Sequence, residues 1–424
     1  MELKQGYKQT EVGVIPEDWS VISMDTITTH IGDGLHGTPV YSTNGEYFFI
    51  NGNNLNGGKI VITSDTKSVD RSEFIKHQKP INERSILMSI NGTVGNLGLF
   101  DDEQVLLGKS AAYLNVKPNT SKQFLYHSLQ TKIVKQQFFD GLTGSTIGNL
   151  GLATIRQTQI PIPPTKVEQE AIAEALSDAD ALIESIEQLI AKKRQIKQGA
   201  MQELLTGKNR LPGFRGEWEV KSLGDLFSFS GGYSASRDQL SSEGTCYLHY
   251  GDIHGSSKMI INTKTDYQDI PKLNIPLKKI SSFSLLKDGD VVFVDASEDD
   301  EGTSKHVVVV NKDDIPFIAG LHTIVAKSKT DELTNEYRRY CFQTASVHQQ
   351  FLFYAVGTKV SGISKTNIPK LMMPVPPSPE QTAIAEFLIN MDAELSALIQ
   401  RRDKTRKLKQ AMMQNLLTGK IRIL

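Results

Sequence analysis

Apolar residues recur at steps of three and four through Ile172, Leu176, Ala179, Ile183, Ile186 and Ile190. After a shift in phase they continue through Ile196, Ala200 and Leu204. That period predicts one amphipathic helix of nearly forty residues, roughly 55–60 Å long at a rise of ~1.5 Å per residue. The stretch occurs twice. Glu168–Lys208 and Glu380–Lys420 align without a gap at a spacing of 212 residues, and 21 of 41 positions are identical. The chain is therefore a duplication. Each copy opens after a Pro-Pro step (Pro163-Pro164, Pro376-Pro377), which cannot continue a helix backwards. Acidic residues fill the first turns (Glu168, Glu170, Glu174; Glu380, Glu386) and basic residues the later half (Lys192, Lys193, Arg194, Lys197; Arg401, Arg402, Arg406, Lys407, Lys409). Gly207 and Gly419 stand where C-terminal caps belong. A helix this long with one apolar stripe needs a partner, and its own copy is the obvious one. Antiparallel pairing would set the acidic half of each against the basic half of the other. Ile172, Leu176, Ile183, Ile186 and Ile190, with Ile384, Leu388 and Leu395, are the expected pairing residues.

Between the helices the pattern is different. Short strand-like runs alternate with Gly- and Asn-rich turns. In the first half they are Tyr47–Ile50, Lys59–Ile62, Ser85–Ile90 and Ala112–Val116. In the second they are Cys246–Tyr250, Met259–Asn262, Asp290–Asp295, Lys305–Val310 and Thr323–Ala326. Phe124–Phe139 and Glu336–Phe353 read as helical and share Gln-Thr and Gln-Gln-Phe steps. The predicted fold is α+β, with two tandem pseudo-symmetric globular domains separated by two long helices packed as an antiparallel coiled coil. The boundaries fall at 1–165, 166–210, 211–378 and 379–424. Trp19 and Trp218, the two tryptophans of the chain, occupy matching leads into the globular segments. The plainer reading of both is a residue pinning its domain to the base of a helix.

Composition narrows the class. Hydrophobic content of 39% and charged content of 22% suit an ordinary globular protein. Met1–Ser20 has no apolar core of the kind a signal peptide needs, and no run is long enough to span a membrane. Cys246 and Cys341 do not repeat between the halves, so a reducing cytoplasm is the expected compartment. A net charge of −1 argues against a generic polyanion binder but leaves room for a specific one.

Catalytic patterns are missing. Gly52–Ile60 superficially suggests a phosphate loop but fails the spacing. There is no methyltransferase signature and no Gly-x-Ser-x-Gly elbow, and the histidines lack metal-ligand spacing. The acidic run Glu298–Glu301 reads as a solvated loop. What is left is a binding protein whose duplicated modules suit double-stranded DNA, read as two half-sites. The loops offer donors and acceptors for base edges: His36, Asn51, Asn53, Asn54, Asn91, Lys109, Ser110, Ser145 and Thr146 in the first half. In the second they are Tyr233, Arg237, His249, Asp252, His254, His322 and Lys359. Asn-Gly clusters also form turns without any ligand, and the basic runs serve helix–helix ion pairs as well as they would serve phosphates.

The doubled Pro-Pro…Glu-Gln-x-x-Ile-Ala-Glu openings and the doubled Leu-Leu-Thr-Gly-Lys exits resemble those of specificity (S, HsdS) subunits of type I restriction–modification systems. Gly32–Pro39 with Tyr41 resembles the start of many target-recognition domains in that family, whereas the second half has Gly231-Gly232-Tyr233-Ser234 instead. The resemblance covers essentially the whole chain. It implies a non-catalytic subunit with two target-recognition domains, each reading half of a bipartite site. It also implies helices that set the gap and dock two modification subunits, and further restriction subunits. S-adenosylmethionine, ATP and Mg would belong to those partners, with no cofactor in this chain. The alternative is a coiled-coil adaptor without DNA specificity.

Overall fold

The computed structural model describes residues 5–144, 148–256, 258–297, 304–355 and 361–423. Both long helices are continuous over 39 residues, Lys166–Leu204 and Ser378–Leu416. Gly207 and Gly419 close them at φ +70° and +66°, the left-handed region that glycine enters without a Cβ clash. The chain divides into two units. One is Met1–Gln188 with Gln400–Leu424, and the other is Leu189–Ile399.

In the first unit a four-stranded antiparallel sheet runs in the order Leu97–Leu99, Ser85–Ser89, Ala111–Val116, Thr28–Asp33. A second, three-stranded sheet sets Val105–Leu107 parallel to Tyr47–Ile50, which also pairs antiparallel with Ser68–Val69. The second unit repeats this plan with one strand added to each sheet. Its larger sheet runs Phe227–Gly231, Thr323–Ser328, Val291–Val294, His306–Val310, Ile260–Asn262. In its smaller sheet Thr245–Leu248 lies parallel to Phe317–Ala319. The strands at the centres of the larger sheets are buried along their whole length (Ser85–Ser89, Ala111–Val116, Val291–Val294).

Each unit contains the start of one long helix and the end of the other. In the first, Ile172, Ala173 and Leu176 share a core with Leu416 and Leu417 and with module residues such as Met24 and Phe124. In the second, Ile384, Ala385 and Leu388 share a core with Leu204 and Leu205. These apolar residues hold helix to module as well as helix to helix. Ile186, Ile190 and Leu395 are buried, Ile183 is half-buried and Ile196 is exposed. Antiparallel pairing with opposed charge is present within both units. Lys409 lies 2.6 Å from Asp180, and Arg406 pairs with Glu187. Lys193 lies 2.6 Å from Glu394, and Lys197 pairs with Asp392.

The Glu-Gln pair that opens each helix does more than complement the helix dipole. Glu380 is fully buried and is gripped by the Arg210 guanidinium, while the Trp218 indole donates to it at 2.9 Å. Glu168 is gripped in the same way by Arg422, which also reaches Asp18 at 3.0 Å. Gln169 and Gln381 accept the backbone N–H of Ser121 and of Thr334, each at 2.9 Å. The tryptophans sit where the glycine caps end: a Cβ on Gly419 or Gly207 would come within 3.2 Å of the Trp19 or Trp218 ring. Both tryptophans pin module to helix.

The strand expected over Lys59–Ile62 stops at Ile60, and three further elements depart from the sequence pattern. The helical stretch around Phe124–Phe139 is two helices, Lys122–Ser128 and Lys132–Asp140, because Thr131 caps the second by accepting the Val134 N–H. Thr344 does the same for Ala345–Tyr354, after two short 3-10 turns. The strand expected over Cys246–Tyr250 ends at Leu248, because His249 Nδ1 accepts the Gly251 N–H and starts the helix Tyr250–His254.

Candidate nucleic-acid interface

In both modules the loops converge where the two parallel strands of the smaller sheet end. The chain leaving the first strand of the larger sheet crosses the turn after Val105–Leu107 or Phe317–Ala319. The crossing is made backbone to backbone. Leu35 bridges Gly108, and Tyr233 bridges Gly320. A Cβ on Gly34 would stand 2.3 Å from the Leu107 carbonyl oxygen, and one on Gly232 would stand 1.8 Å from that of Gly320. No larger residue fits there.

The side chains around this shared frame differ. In the first module the Ser110 hydroxyl donates to Asn51 Oδ1 at 2.8 Å and accepts the Gly52 N–H at 2.9 Å. Asn54 Oδ1 accepts the Asn51 N–H at 3.0 Å, and its amide donates to the Val61 carbonyl at 2.9 Å. Asn51, Asn54 and Ser110 are thus tied into the turn. Asn53 and Lys109 are exposed beside them, and Asn91 bridges Asn149 on the adjoining loop. His36 is exposed and hydrogen-bonds Asp33 at 2.7 Å.

In the second module His249 replaces Asn51 as the cap, and His322 stands in the position of Ser110. Their rings are joined through Tyr250, which lies 4.7 Å from His249 and 5.6 Å edge-on from His322. His322 has φ +59°, an unusual conformation for a residue with a Cβ. Its Nδ1 lies 3.4 Å from Asp295, whose strand position matches Ile90 of the first module. Burial pushes the Asp295 carboxyl above its ordinary value, opposed by the charges of His322 and Lys365. Burial, with the neighbouring Arg237 guanidinium, holds the His249 imidazole below its usual value. Arg237 lies 3.6 Å from Asp252. The buried Tyr247 hydroxyl donates to the Tyr233 carbonyl at 2.9 Å and accepts the Leu321 N–H at 3.0 Å, locking two loops together. Tyr233, Arg237, His249, Asp252 and His322 therefore come together. His254 stands at the far end of its short helix, where its carbonyl accepts Lys305 Nζ at 2.7 Å. Ser145, Thr146, Lys359 and the acidic run Glu298–Glu301 lie outside the described residues.

Sequence reasoning missed Tyr247, Tyr250, Asp295 and Lys365. Tyr247 and Asp295 sit within or at the end of strands that read as core, and only the register exposes their roles. Among the described residues there is no group of three or more side chains able to hold a metal ion, and no helix is long and apolar enough to cross a membrane.

Two α+β modules that share a frame but differ in their lining, each seated on a long paired helix, define a sequence-reading subunit. The family described as Type I restriction modification DNA specificity domain matches the chain twice, at residues 16–195 and 215–407, and the chain belongs to it. It is a DNA specificity subunit of the type I restriction–modification kind, the non-catalytic, sequence-reading component, and the adaptor alternative falls away. The putative type I restriction enzyme MjaX specificity subunit of Methanocaldococcus jannaschii is 26% identical over 449 residues, covering 99% of this chain and 97% of that protein. The StySPI specificity subunit of Salmonella potsdam is 21% identical, covering 88% and 81%. A crystal structure of the S subunit from M. genitalium covers 98% of both chains with a TM-score of 0.57 at 16% identity, a likeness of fold.

Proposed function

We propose that each module binds one half of an asymmetric, bipartite site in double-stranded DNA, and that the paired helices fix the gap between the halves. The modules are residues 1–165 and 211–378, borne by helical regions 166–210 and 379–424. One observation carries this reading: what seats a module on its helix is repeated, whereas what lines the crossing of each module is not. A scaffold common to two readers of different sequence has this character. Two modification subunits dock on the helices and supply adenine N6-methylation with S-adenosylmethionine. Restriction subunits bring ATP- and Mg-dependent cleavage, and the assembly works in the cytoplasm. The docking face is supported by Leu189 and Ile196 of the second unit, which are 41% and 48% exposed and stand seven residues apart on one helix. Lys192 and Arg194 are exposed between them in sequence.

The deciding experiment maps methylated adenines at base resolution in DNA modified by the assembled complex. Exchanging residues up to about Pro161 for those of another family member should change one half-site alone, and a change in both would sink the modular reading. Inserting one helical turn in a long helix, about 5.4 Å, should widen the gap by one to two base pairs at the ~3.4 Å rise. An unchanged gap would remove the spacer role.

A further inference from the structure

We propose that Arg237 reads a guanine in the half-site bound by the second module. The inference rests on the DNA-reading function above and assigns part of its specificity to one side chain. From Gly34 to Asn51 and from Gly232 to His249 the chain has the same length, so Arg237 matches Pro39 by count, and where Pro39 is buried Arg237 is exposed at the start of a 3-10 turn. The backbone frame at this crossing is common to both modules. A side chain that differs on a common frame is where the two readings diverge. Arg237 is the one arginine at this crossing among the described residues, and its side chain is 71% exposed.

It is also aimed. Its guanidinium lies 3.6 Å from the Asp252 carboxylate, and a Cβ on Gly251 would come within 3.7 Å of it, so the short helix Tyr250–His254 passes beneath the group without filling its space. Asp252 Oδ2 is sealed from solvent and has no hydrogen-bond partner among the described residues. The other carboxylate oxygen, Oδ1, faces Arg237, and the Asp252 side chain as a whole is 32% exposed. Asp252 is fixed in turn by the turn that His249 caps. A guanidinium carries donors along two edges. The carboxylate attracts the guanidinium by charge at 3.6 Å without a hydrogen bond, and a guanidinium edge presents two parallel N–H groups. In the major groove that pair matches guanine N7 and O6, both acceptors on one base, whereas adenine offers one acceptor beside a donor. The first module, with Pro39 in this place, has no such group.

The test uses the full chain assembled with its modification subunits. Binding is measured on duplexes carrying the mapped site with each base pair of both halves replaced in turn, at several salt concentrations. In the wild type, one guanine of the second half-site should be worth about 5- to 150-fold in affinity. Arg237→Ala should erase discrimination at that position alone and leave the first half-site intact. Arg237→Lys keeps the charge without the two-donor edge and should relax the same position. The proposal is overturned if Arg237→Ala weakens every duplex equally and lowers the salt slope by about one, the mark of a phosphate contact. It is equally overturned if discrimination is unchanged, or if it relaxes in the half-site of the first module. A wild-type assembly with no site-specific binding would overturn the functional reading itself, a result distinct from these.

Discussion

At the same crossing of backbone the two modules carry different chemistry. The first is built around amides and a hydroxyl, Asn51, Asn54 and Ser110, bonded to one another and to the turn, with Lys109 and the His36–Asp33 pair exposed beside them. The second is built from ionisable and aromatic groups, His249, Tyr250, His322, Asp295, Arg237 and Asp252. Behind the crossing, at the helix seat, the modules are nearly interchangeable. The difference teaches where the duplication has been free to change. Residues that hold module to helix answer to the same geometry twice, and residues that face outward answer to two different ligands.

The seat can be broken first. Glu380→Ala leaves the Arg210 guanidinium and the Trp218 indole without their acceptor, and should cost the second unit about 3 kcal/mol, at the lower end of the range for a broken buried pair. Glu168→Ala should cost less, because Asp18 keeps Arg422 engaged. Urea unfolding of both variants measures the gap, and equal losses would remove the asymmetry. The crossing comes next. Gly232→Ala drives a Cβ against a carbonyl oxygen that cannot rotate away, and should cost about 2–3 kcal/mol as an overpacking strain. Gly34→Ala, with slightly more room, should cost somewhat less, again by urea unfolding.

Acid sharpens the comparison further. His127 of the first module faces Ser177 and Lys409, and burial pushes its imidazole down to about 3. Tyr340 holds the matching place in the second module, donating to Asp392 at 2.8 Å. An unfolded histidine binds a proton near pH 6.5, which the folded one refuses until about 3. The first unit should therefore lose up to ~1.4 kcal/mol per pH unit as pH falls through that window, and none of this loss arises above it. Proton-linked unfolding should flatten in His127→Gln, and an unchanged slope would place the acid sensitivity elsewhere. Smallest of all is the cap. Asn51→Ala should cost about 1 kcal/mol and disturb methylation at one half-site, read by mapping, while the other half-site stays as it was.

Much of this was legible in the chain. The helix repeat, its glycine caps and the seating of the tryptophans follow from period and position. The roles of Glu168 and Glu380 did not, because an acidic first turn already has an explanation in the helix dipole. Their partners, Arg422 and Arg210, are distant in sequence. The breaks at Thr131 and Thr344 were visible as matching Gln-Thr steps but read as interior, since only backbone geometry shows a threonine capping. Asp295 could not be separated from the Val-rich strand before it without the register that matches it to Ile90.

The shared helices also make the two modules unequal in how their chain is closed. Leu189–Ile399 is one uninterrupted stretch, whereas the first unit needs Gln400–Leu424 to close. Tyr7 meets Gly419, with its hydroxyl 3.1 Å from that carbonyl, and Arg422 covers Trp19. The first module is thus closed by residues distant in sequence, whereas the second is built from one continuous segment. Residues 400–424 act as a latch on the first module, and a cut between the units would open that module while leaving the second whole.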